Sequence, residues 1–481
     1  MTEVESRYRN ARIAHWDRTA ARKIDPGRVG AFYQRLLEHY YCMMVQPGLR
    51  VLELGCGGGD LLASLKPSYG VGVDFSAEML KVARSRHPGY RFIEADVHDP
   101  ALGGQETEEL FDVIILSDLV NDLWDVQTVF ENIRRMCHSR TRIIINFYSN
   151  LWRFPLGVVN RLGKGADLLP QNWLAQNDVI NLLKLAGFDA INDRSKILLP
   201  LPWPFLAVFF NRFLANIVPF RWFCLTNFIV ARPAPETCGA KAPPSVSVIV
   251  AARNEAGNIA DILRRVPPLG SRTQLVFVEG HSSDNTYETI EVLMKECPEK
   301  DISLYHQTGK GKGDAVRLGF DKANGDILMI LDADMTVPPE DLPRFVDAIV
   351  SGKGEFVNGV RLVYPMEDQA MRFFNIVGNK FFSLAFSWLL EQPIKDTLCG
   401  TKVMWRDDYR HLADNRAYFG DFDPFGDFDL LFGAAKLNLK IVEMPVRYRS
   451  RTYGDTNIDR WRHGWMLLKM VMFAARRIKF I

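Results

Sequence analysis

The sequence predicts an α/β protein built from two domains. Its 481 residues exceed the length of one ordinary domain. A stretch rich in Pro and Ala, residues 232–245, divides the chain, and short β-branched runs alternate with helical stretches on both sides of it. We therefore expect one domain over residues 1–232, a linker over residues 233–245 and a second domain over residues 246–481.

The composition is typical of a globular protein without a strongly charged surface. Hydrophobic residues make up 47% of the chain and charged residues 24%, and the net charge is +2. These values exclude a disordered chain and give no global attraction to nucleic acid. Seven scattered cysteines without metal-ligand spacing, and an amino-terminal segment without an apolar run, favour a reduced, cytoplasmic setting.

Eight short apolar runs are predicted as strands, five in the first half and three in the second. They are Arg50–Leu54, Gly70–Asp74, Arg91–Ala95, Val113–Leu116, Arg142–Phe147, Val246–Ala251, Leu275–Val278 and Ile327–Leu331. Ligands of parallel sheets bind beyond the carboxyl ends of the strands. Polar residues directly after each run are therefore the functional candidates.

A glycine-rich turn follows the first strand. After Glu53, glycines stand at positions 55, 57 and 59, where they allow a tight turn and close approach of the backbone to a ligand. The dinucleotide fingerprint requires a further glycine where this chain has Asp60. The turn is therefore poorly suited to a pyrophosphate cofactor.

Acidic residues end the next three strands. Asp74 lies about 20 residues after the turn, the spacing at which a carboxylate accepts from a ribose diol. Asp96 is placed to accept from an adenine amino group, and Asp118, followed by Asn121 and Asp122, is a candidate to face an acceptor. Helix caps or solvated acids are the alternative interpretation of these last residues.

Together these signals resemble the class I S-adenosylmethionine-dependent methyltransferases over approximately residues 10–232. The resemblance implies a Rossmann-like sheet and S-adenosylmethionine (SAM) as cofactor, with the protein aligning the acceptor for displacement. It assigns cofactor binding to Glu53, Gly55, Gly57, Gly59, Asp74, Asp96 and Asp118. The methyl acceptor stays open, and the apolar region Ile197–Ala231 is expected to be core.

The second half places polar residues at strand ends in the same way. Asn254 and Glu255 follow the first strand, and Glu279 ends the second, where acids can accept from a base and a ribose. Lys312 lies in a glycine-rich stretch, but it precedes Gly313 rather than Ser or Thr, so the stretch is not a P-loop.

A pair of carboxylates ends the third strand of this half. Asp332 and Asp334 are one residue apart after an apolar run and can hold a hard divalent cation, Mg or Mn, on oxygen ligands. Such an ion offsets the charge of a departing nucleotide. The same spacing recurs at Asp421 and at Asp427, so only the strand context distinguishes the first copy.

The second half resembles glycosyltransferase family 2, and within it the dolichol-phosphate and polyprenyl-phosphate mannosyltransferase group. The resemblance implies the GT-A fold and a GDP- or UDP-linked sugar donor, with metal bound at Asp332 and Asp334. It assigns substrate binding to Ala252, Asn254, Glu255, Glu279, Lys312, Asp332 and Lys402, and catalysis to Asp427, Asp429 and Arg451. Glu279 replaces the first acid of the usual Asp-Asp-Gly-Ser turn, which leaves the nucleotide open.

The catalytic roles depend on the acceptor of an inverting displacement. A hydroxyl acceptor needs a carboxylate base, for which Asp427 or Asp429 is the candidate. A lipid phosphate is already anionic, and a positive group such as Arg451 matters more. A structural cap is the alternative role for the two acids.

The carboxyl-terminal segment from Arg460 combines aromatic and basic residues. It is predicted either as a helix packed on its domain or as a basic amphipathic helix at the inner face of the cell membrane. The apolar stretch from Phe373 is predicted as a buried helix.

The sequence thus predicts a bifunctional transferase. We expect sugar transfer to a polyprenyl phosphate or a glycan, together with SAM-dependent methylation of a glycan or a related small molecule. The alternatives are a soluble or peptide acceptor, or one half that only binds its nucleotide.

Overall fold

The computed structural model describes residues 3–21, 27–103, 110–161, 169–235, 242–361, 363, 373–416, 426–449, 453 and 460–480. The chain separates into two compact units at residues 234 and 235, inside the stretch predicted as a linker. Residues 236–241 of that linker lie outside the described part of the chain.

The first unit is built on a seven-stranded sheet with the order β3-β2-β1-β4-β5-β7-β6. Strands β1 to β5 are parallel, and β7 runs antiparallel to both β5 and β6. The strands are β1 (Arg50–Leu54), β2 (Tyr69–Asp74), β3 (Arg91–Glu94), β4 (Phe111–Ser117), β5 (Cys137–Tyr148), β6 (Phe188–Lys196) and β7 (Thr226–Pro233).

Helices accompany this sheet along the chain. They are α1 (Glu3–Ala21), α2 (Gly27–Met44), α3 (Asp60–Ser64), α4 (Ala77–Arg86), α5 (Val126–Ile133), α6 (Arg153–Arg161), α7 (Gln176–Leu185) and the single turn α8 (Leu206–Val208). Along β4, Ile114 and Leu116 pack into one hydrophobic cluster and Val113 and Ile115 into another. The sheet therefore carries a core on each face, as expected of parallel strands.

The second unit is also built on seven strands, in the order β10-β9-β8-β11-β13-β12-β14. Strands β8 to β11 are parallel, whereas β13 runs antiparallel to β11 and β12. The strands are β8 (Val246–Ala252), β9 (Thr273–Glu279), β10 (Asp301–His306), β11 (Ile327–Ile330), β12 (Phe356–Val360), β13 (Lys402–Trp405) and β14 (Ile441–Pro445).

The helices of the second unit follow the same alternation in its first part. They are α9 (Ala256–Arg265), α10 (Thr286–Glu296), α11 (Lys312–Lys322), α12 (Leu342–Val350), α13 (Phe373–Leu390), α14 (Arg406–Asp414), α15 (Asp427–Lys436) and α16 (Arg460–Ala474). The two-domain α/β fold class is therefore confirmed. All eight predicted strands are present: β5 starts five residues earlier than expected, and the other strand ends differ by at most two residues. Six further described strands were not predicted, namely β6, β7, β10, β12, β13 and β14.

Two apolar segments of the second unit fold as helices, and each buries only one face. In α13, Phe386 and Leu389 are buried, whereas Phe381 and Leu384 are exposed. Helix α16 contacts α13 and buries Leu467. The carboxyl-terminal segment is thus at least partly core.

The apolar region Ile197–Ala231 differs from the expectation that it is core. Strand β7, at its end, is buried, but the connection between β6 and β7 leaves many large apolar side chains exposed. In the described part of the chain, no helix is both long and apolar enough to cross a bilayer.

Candidate active sites

The glycine-rich turn after β1 adopts a backbone that favours glycine. Gly55, Gly57 and Gly59 have φ values of 70°, 49° and 75°, in the left-handed region where side chains are strained. A Cβ at Gly57 would meet no atom within 4 Å, so this part of the turn faces open space. The turn is therefore free to approach a ligand with its backbone.

Asp74 connects the end of β2 to this turn. Its Oδ2 accepts from the Gly57 N–H at 2.9 Å, and its Oδ1 accepts from the Ser76 N–H at 2.9 Å. Burial raises the pKa of Asp74, while these backbone donors oppose the rise. Each carboxylate oxygen has a second lone pair, so Asp74 remains able to accept from a ribose.

Glu53 is a buried acid next to the glycine-rich turn. It is 3% exposed, and burial raises its pKa to about 8, so the side chain is mostly neutral at pH 7. Its Oε2 has no hydrogen-bond partner in the part of the chain that the structure describes. A bound ligand with a donor group fits this orphaned acceptor, as a cofactor site requires.

Asp96 is held by groups that sequence analysis did not include. Its Oδ2 pairs with Arg9 Nε at 2.8 Å, and its Oδ1 contacts His98 Nδ1 at 2.8 Å. Burial alone would raise the pKa of Asp96, but His98 and Arg9 outweigh burial and lower it. The expected adenine contact is therefore a charged group already engaged by helix α1.

Helix α1 reaches the ends of several strands through polar contacts. Arg12 Nε pairs with Asp122 at 3.0 Å, and Trp16 Nε1 donates to the same carboxylate at 3.2 Å. Ser76 Oγ donates to Asp17 at 2.5 Å. The spacing of Arg9, Arg12 and Trp16 places these residues on one helical face, a signal in charged and aromatic residues that an apolar pattern misses.

Asp118 lies at the end of β4 inside a cluster of tyrosines. Its φ is 51°, a conformation that Asp tolerates in functional turns. Its Oδ1 accepts from the Tyr33 hydroxyl at 3.1 Å and from Asn146 Nδ2 at 2.5 Å. Burial raises the pKa of Asp118 to about 7, although these two donors lower it. Asp118 keeps partial solvent exposure and can reach a ligand.

In the second unit, the ends of β8 and β9 are tied together by side chains. Asn254 Oδ1 accepts from the Ser283 N–H at 2.8 Å, and the Asn254 N–H donates to Ser282 Oγ at 3.0 Å. Ala252 is almost fully buried, and Glu255 is 8% exposed and accepts from Asn258. These residues form the framework of the turn.

Glu279 organises the turn that replaces the usual Asp-Asp-Gly-Ser sequence. Its Oε1 accepts from the Ser282 N–H at 2.5 Å, and its Oε2 contacts His306 Nδ1 at 3.1 Å. Burial would raise the pKa of Glu279, but these hydrogen bonds lower it. His306 also stacks on Tyr287 with a centroid distance of 4.0 Å, an aromatic pair that sequence analysis did not identify.

Asp332 lies after β11 among positive groups. Its Oδ1 pairs with Lys312 Nζ at 2.6 Å. Burial alone would raise its pKa, but Lys312, followed by Lys402 and Arg361, lowers it. Lys402 is 1% exposed and donates to the Cys399 carbonyl at 2.6 Å. The structure thus brings together Lys312, Asp332 and Lys402 from separate motifs.

Gly400 permits this arrangement. A Cβ at this position would collide with the Asp332 carboxylate and the Lys312 ammonium group. A glycine is therefore required where the backbone passes the charged pair.

Asp334 is oriented by its own turn. Its Oδ1 accepts from the Thr336 N–H at 3.1 Å and from the Thr336 hydroxyl at 2.9 Å. Within the described residues, no group of three or more His, Cys, Asp or Glu side chains is arranged to hold a metal. Magnesium commonly uses one or two carboxylates and completes its shell with phosphates and water, so the cation that the sequence predicts at Asp332 and Asp334 does not require a third acidic ligand.

A buried ion pair that sequence analysis missed anchors the segment that carries Gly400 and Lys402. Arg361, directly after β12, donates to Asp396 through Nε at 2.6 Å and Nη2 at 2.8 Å. Asp396 is fully buried and begins the segment that leads to Gly400 and Lys402. The two residues are 35 positions apart in the sequence, so no local pattern connects them.

Of the three residues expected to act in catalysis, the structure describes the side chain of Asp429 alone. Asp429 is 7% exposed and pairs with Arg416 at 2.9 Å and with Arg317 at 3.9 Å, which favours the structural interpretation. Asp427 begins α15, and its side chain lies outside the described part of the structure. Arg451 also lies outside the described residues.

The comparisons with known families agree with this division. The profile of a methyltransferase domain family matches residues 46–192, and the profile of glycosyl transferase family 2 matches residues 247–412. The chain therefore joins a methyltransferase to a family 2 glycosyltransferase. Strand ends β1 to β4 lie in the first match, and the Asp332 site lies in the second.

Curated relatives match the glycosyltransferase half. A dolichol-phosphate mannosyltransferase from Pyrococcus furiosus is 27% identical over 49% of this chain and 67% of its own length. An undecaprenyl-phosphate 4-deoxy-4-formamido-L-arabinose transferase from Klebsiella pneumoniae is 24% identical over 48% of this chain and 67% of its own length. Other relatives match over as little as 36% of their length.

A solved SAM-dependent methyltransferase from Thermotoga maritima is similar to part of this chain. It is 15% identical, covers 46% of this chain and 99% of its own chain, and has a TM-score of 0.34.

Proposed function

We propose that the glycosyltransferase domain transfers a sugar from a GDP- or UDP-linked donor to a polyprenyl phosphate, with inversion and with a divalent cation. The carrying observation is Asp332, a carboxylate kept anionic at the end of β11 beside Lys312. Relatives named for dolichol-phosphate and undecaprenyl-phosphate transfer support the lipid acceptor.

The residues of the site have separable tasks in this proposal. Asp332 and Asp334 would hold the cation, which would offset the charge of the departing nucleoside diphosphate. Lys312 and Lys402 add positive charge around the same group. A lipid phosphate is already anionic and needs no strong base, which agrees with the ion-paired state of Asp429.

The test is nucleoside diphosphate release from a panel of GDP- and UDP-sugars with Mn, with and without polyprenyl phosphate in detergent. We expect release that requires the lipid and disappears in Asp332→Asn and Asp334→Asn. Asp347→Asn is the matched control, because Asp347 is an exposed acid on α12. Nucleoside diphosphate release that does not depend on the lipid would refute polyprenyl phosphate as the sugar acceptor.

We propose that the methyltransferase domain uses SAM to methylate a hydroxyl group on a glycan or a related small molecule. The Gly55–Gly59 turn, Asp74 and Glu53 would hold the cofactor, and its sulfonium would supply the methyl group when bound. Asp118 removes the acceptor proton, since its raised pKa of about 7 suits a general base at neutral pH.

The pH dependence of methyl transfer tests this role of Asp118. With a hydroxyl-bearing glycan as acceptor, the rate should rise as the pH passes through about 7 and then level off, because the acid form of Asp118 loses its proton there. Asp118→Asn should lose methyl transfer and retain SAM binding. A variant that keeps the rate and its pH profile would exclude Asp118 as the base.

A further inference from the structure

The connection between β6 and β7, residues 197–225, exposes a dense group of aromatic side chains. Phe205 is 89% exposed, Trp222 63% and Phe223 58%. Phe209, Phe213 and Phe220 are exposed in the same connection. Exposed apolar groups of this density mark an interaction surface rather than ordinary protein surface. We call residues 203–223 the aromatic surface.

In the aromatic surface, the large apolar side chains are exposed and smaller or polar side chains are buried, the opposite of the usual arrangement in a folded protein. Its buried positions hold small or polar residues, Ala207, Asn211, Ala215 and Asn216. Asn211 makes two hydrogen bonds to the backbone of Leu199, at 2.8 and 2.9 Å. The segment is thus anchored by polar contacts while its large apolar side chains point outward, so the exposure is a property of the folded segment.

Helix α6 extends the aromatic surface. Trp152 Nε1, just before α6, donates to the Phe223 carbonyl at 2.9 Å. On the helix, Phe154 is 79% exposed, and Val158 and Val159 are also exposed. Two separate segments of the chain therefore present apolar groups side by side.

The aromatic surface and α6 carry basic but no acidic side chains, which indicates what kind of partner they bind. Residues 197–225 and α6 contain no Asp or Glu, although the chain has 57 acids in 481 residues. They contain exposed basic side chains at Arg153, Arg161 and Arg212. Aromatic groups bordered by arginine match the interface of an anionic bilayer, where rings enter the headgroup region and arginines meet lipid phosphates.

We propose that the aromatic surface docks the methyltransferase domain onto an anionic membrane, on which it lies without spanning it. Trp and Phe side chains enter the interface, as in amphipathic segments that lie in the plane of a bilayer. This inference does not depend on the acceptor of sugar transfer, because it concerns the other domain.

Vesicle flotation of the full chain tests the inference. The vesicles are phosphatidylcholine with or without phosphatidylglycerol, and they contain no polyprenyl phosphate or sugar donor. We expect binding that requires phosphatidylglycerol and falls roughly tenfold or more in the double variant Phe205→Ser with Trp222→Ser. Arg153→Gln and Arg161→Gln should each weaken binding roughly fivefold.

Matched controls separate this surface from other apolar groups. Val292→Ser with Val350→Ser removes two exposed apolar residues from the glycosyltransferase domain and should leave binding unchanged. Trp465→Ser removes an exposed tryptophan from α16 and should also leave it unchanged. Thermal unfolding confirms that each variant is folded.

Three results would overturn the inference. One is absence of vesicle binding by the wild type. Another is binding that survives the Phe205 and Trp222 substitutions or is lost with Trp465. The third is a lipid-free dimer that dissociates in the double variant without any vesicle binding, which would assign the surface to a second copy of the chain.

Discussion

Gly400 shows how one missing Cβ determines a site. In Gly400→Ala, the new methyl group would displace Asp332 or Lys312. Because misplacement by about 1 Å can reduce a rate roughly a hundredfold, we expect a loss of sugar transfer of that order. Nucleoside diphosphate release measures the loss, and methyl transfer by the other domain should not change.

Gly378→Ala is the control for this substitution. Gly378 lies in α13, and a Cβ there would meet no atom within 4 Å. Alanine should be tolerated and should stabilise the helix by about 1 kcal/mol. Full activity of Gly400→Ala would show that the charged pair can relax without cost.

Glu53 makes the stability of the methyltransferase domain depend on pH. Its pKa is raised to about 8 by burial, so the folded state binds a proton that the unfolded state releases. The stabilisation is complete below pH 4.5, the ordinary pKa of the group, and is lost as the pH rises towards about 8. We expect this contribution to be on the order of a few kcal/mol.

Glu53→Gln isolates the contribution. The free energies of unfolding of wild type and variant are measured with denaturant from pH 5 to pH 9. As the pH rises, the stability of the variant relative to the wild type should increase. A constant difference would mean that Glu53 does not change its protonation state on folding.

Among the elements, helix α1 is held by polar contacts rather than by an apolar face. The ion pair of Arg12 with Asp122 has side-chain exposures of 5% and 14%. Arg12 also donates to the Pro170 carbonyl at 2.5 Å. Removal of one partner leaves a buried charge unpaired, so Arg12→Ala should cost about 3 kcal/mol of unfolding free energy.

Arg7→Ala tests whether the loss of unfolding free energy in Arg12→Ala is due to burial of the Arg12 ion pair. Arg7 is on the same helix and pairs with Glu3, but both side chains are at least 80% exposed. Exposed pairs contribute roughly 0–1 kcal/mol. Thermal unfolding, together with SAM-binding titration, should therefore show a large loss of stability for Arg12→Ala and a small one for Arg7→Ala. Equal losses would show that the cost does not come from burial of the ion pair.

Eight strands were predictable: β1 to β5, β8, β9 and β11. They contain short apolar runs, and burial on both faces imposes this pattern directly on the sequence. The other six described strands were not predicted, and among them β6 is largely polar and β10 only half-buried, so neither carries the apolar pattern. Helix α1 and the aromatic surface were not predicted. Their placement follows from long-range contacts such as Arg9 with Asp96, and from polar anchors such as Asn211, which leave no apolar periodicity.

At the scale of the whole molecule, each unit has its own sheet and its own core. We therefore expect residues 1–235 and residues 242–481 to fold as separate fragments. SAM binding by the first fragment and donor binding by the second should have the Kd values of the full chain. Aggregation of either fragment would show that it needs the other half to fold.

The sequence by itself determined the fold class, eight of the strands and the two transferase classes that its motifs resemble. Glycines that require a left-handed backbone, and acids that end buried strands, are local constraints that can be recognised without the partners they contact.

Only the tertiary structure decided the charge state and exposure of particular side chains. Glu53 is buried, Asp429 is ion-paired, and Arg361 meets Asp396, because residues distant in sequence surround them. The exposure of residues 203–223 was decided in the same way. An apolar composition predicts burial, but which side faces the protein depends on how the segment is anchored, and here polar anchors turn its aromatic side chains outward.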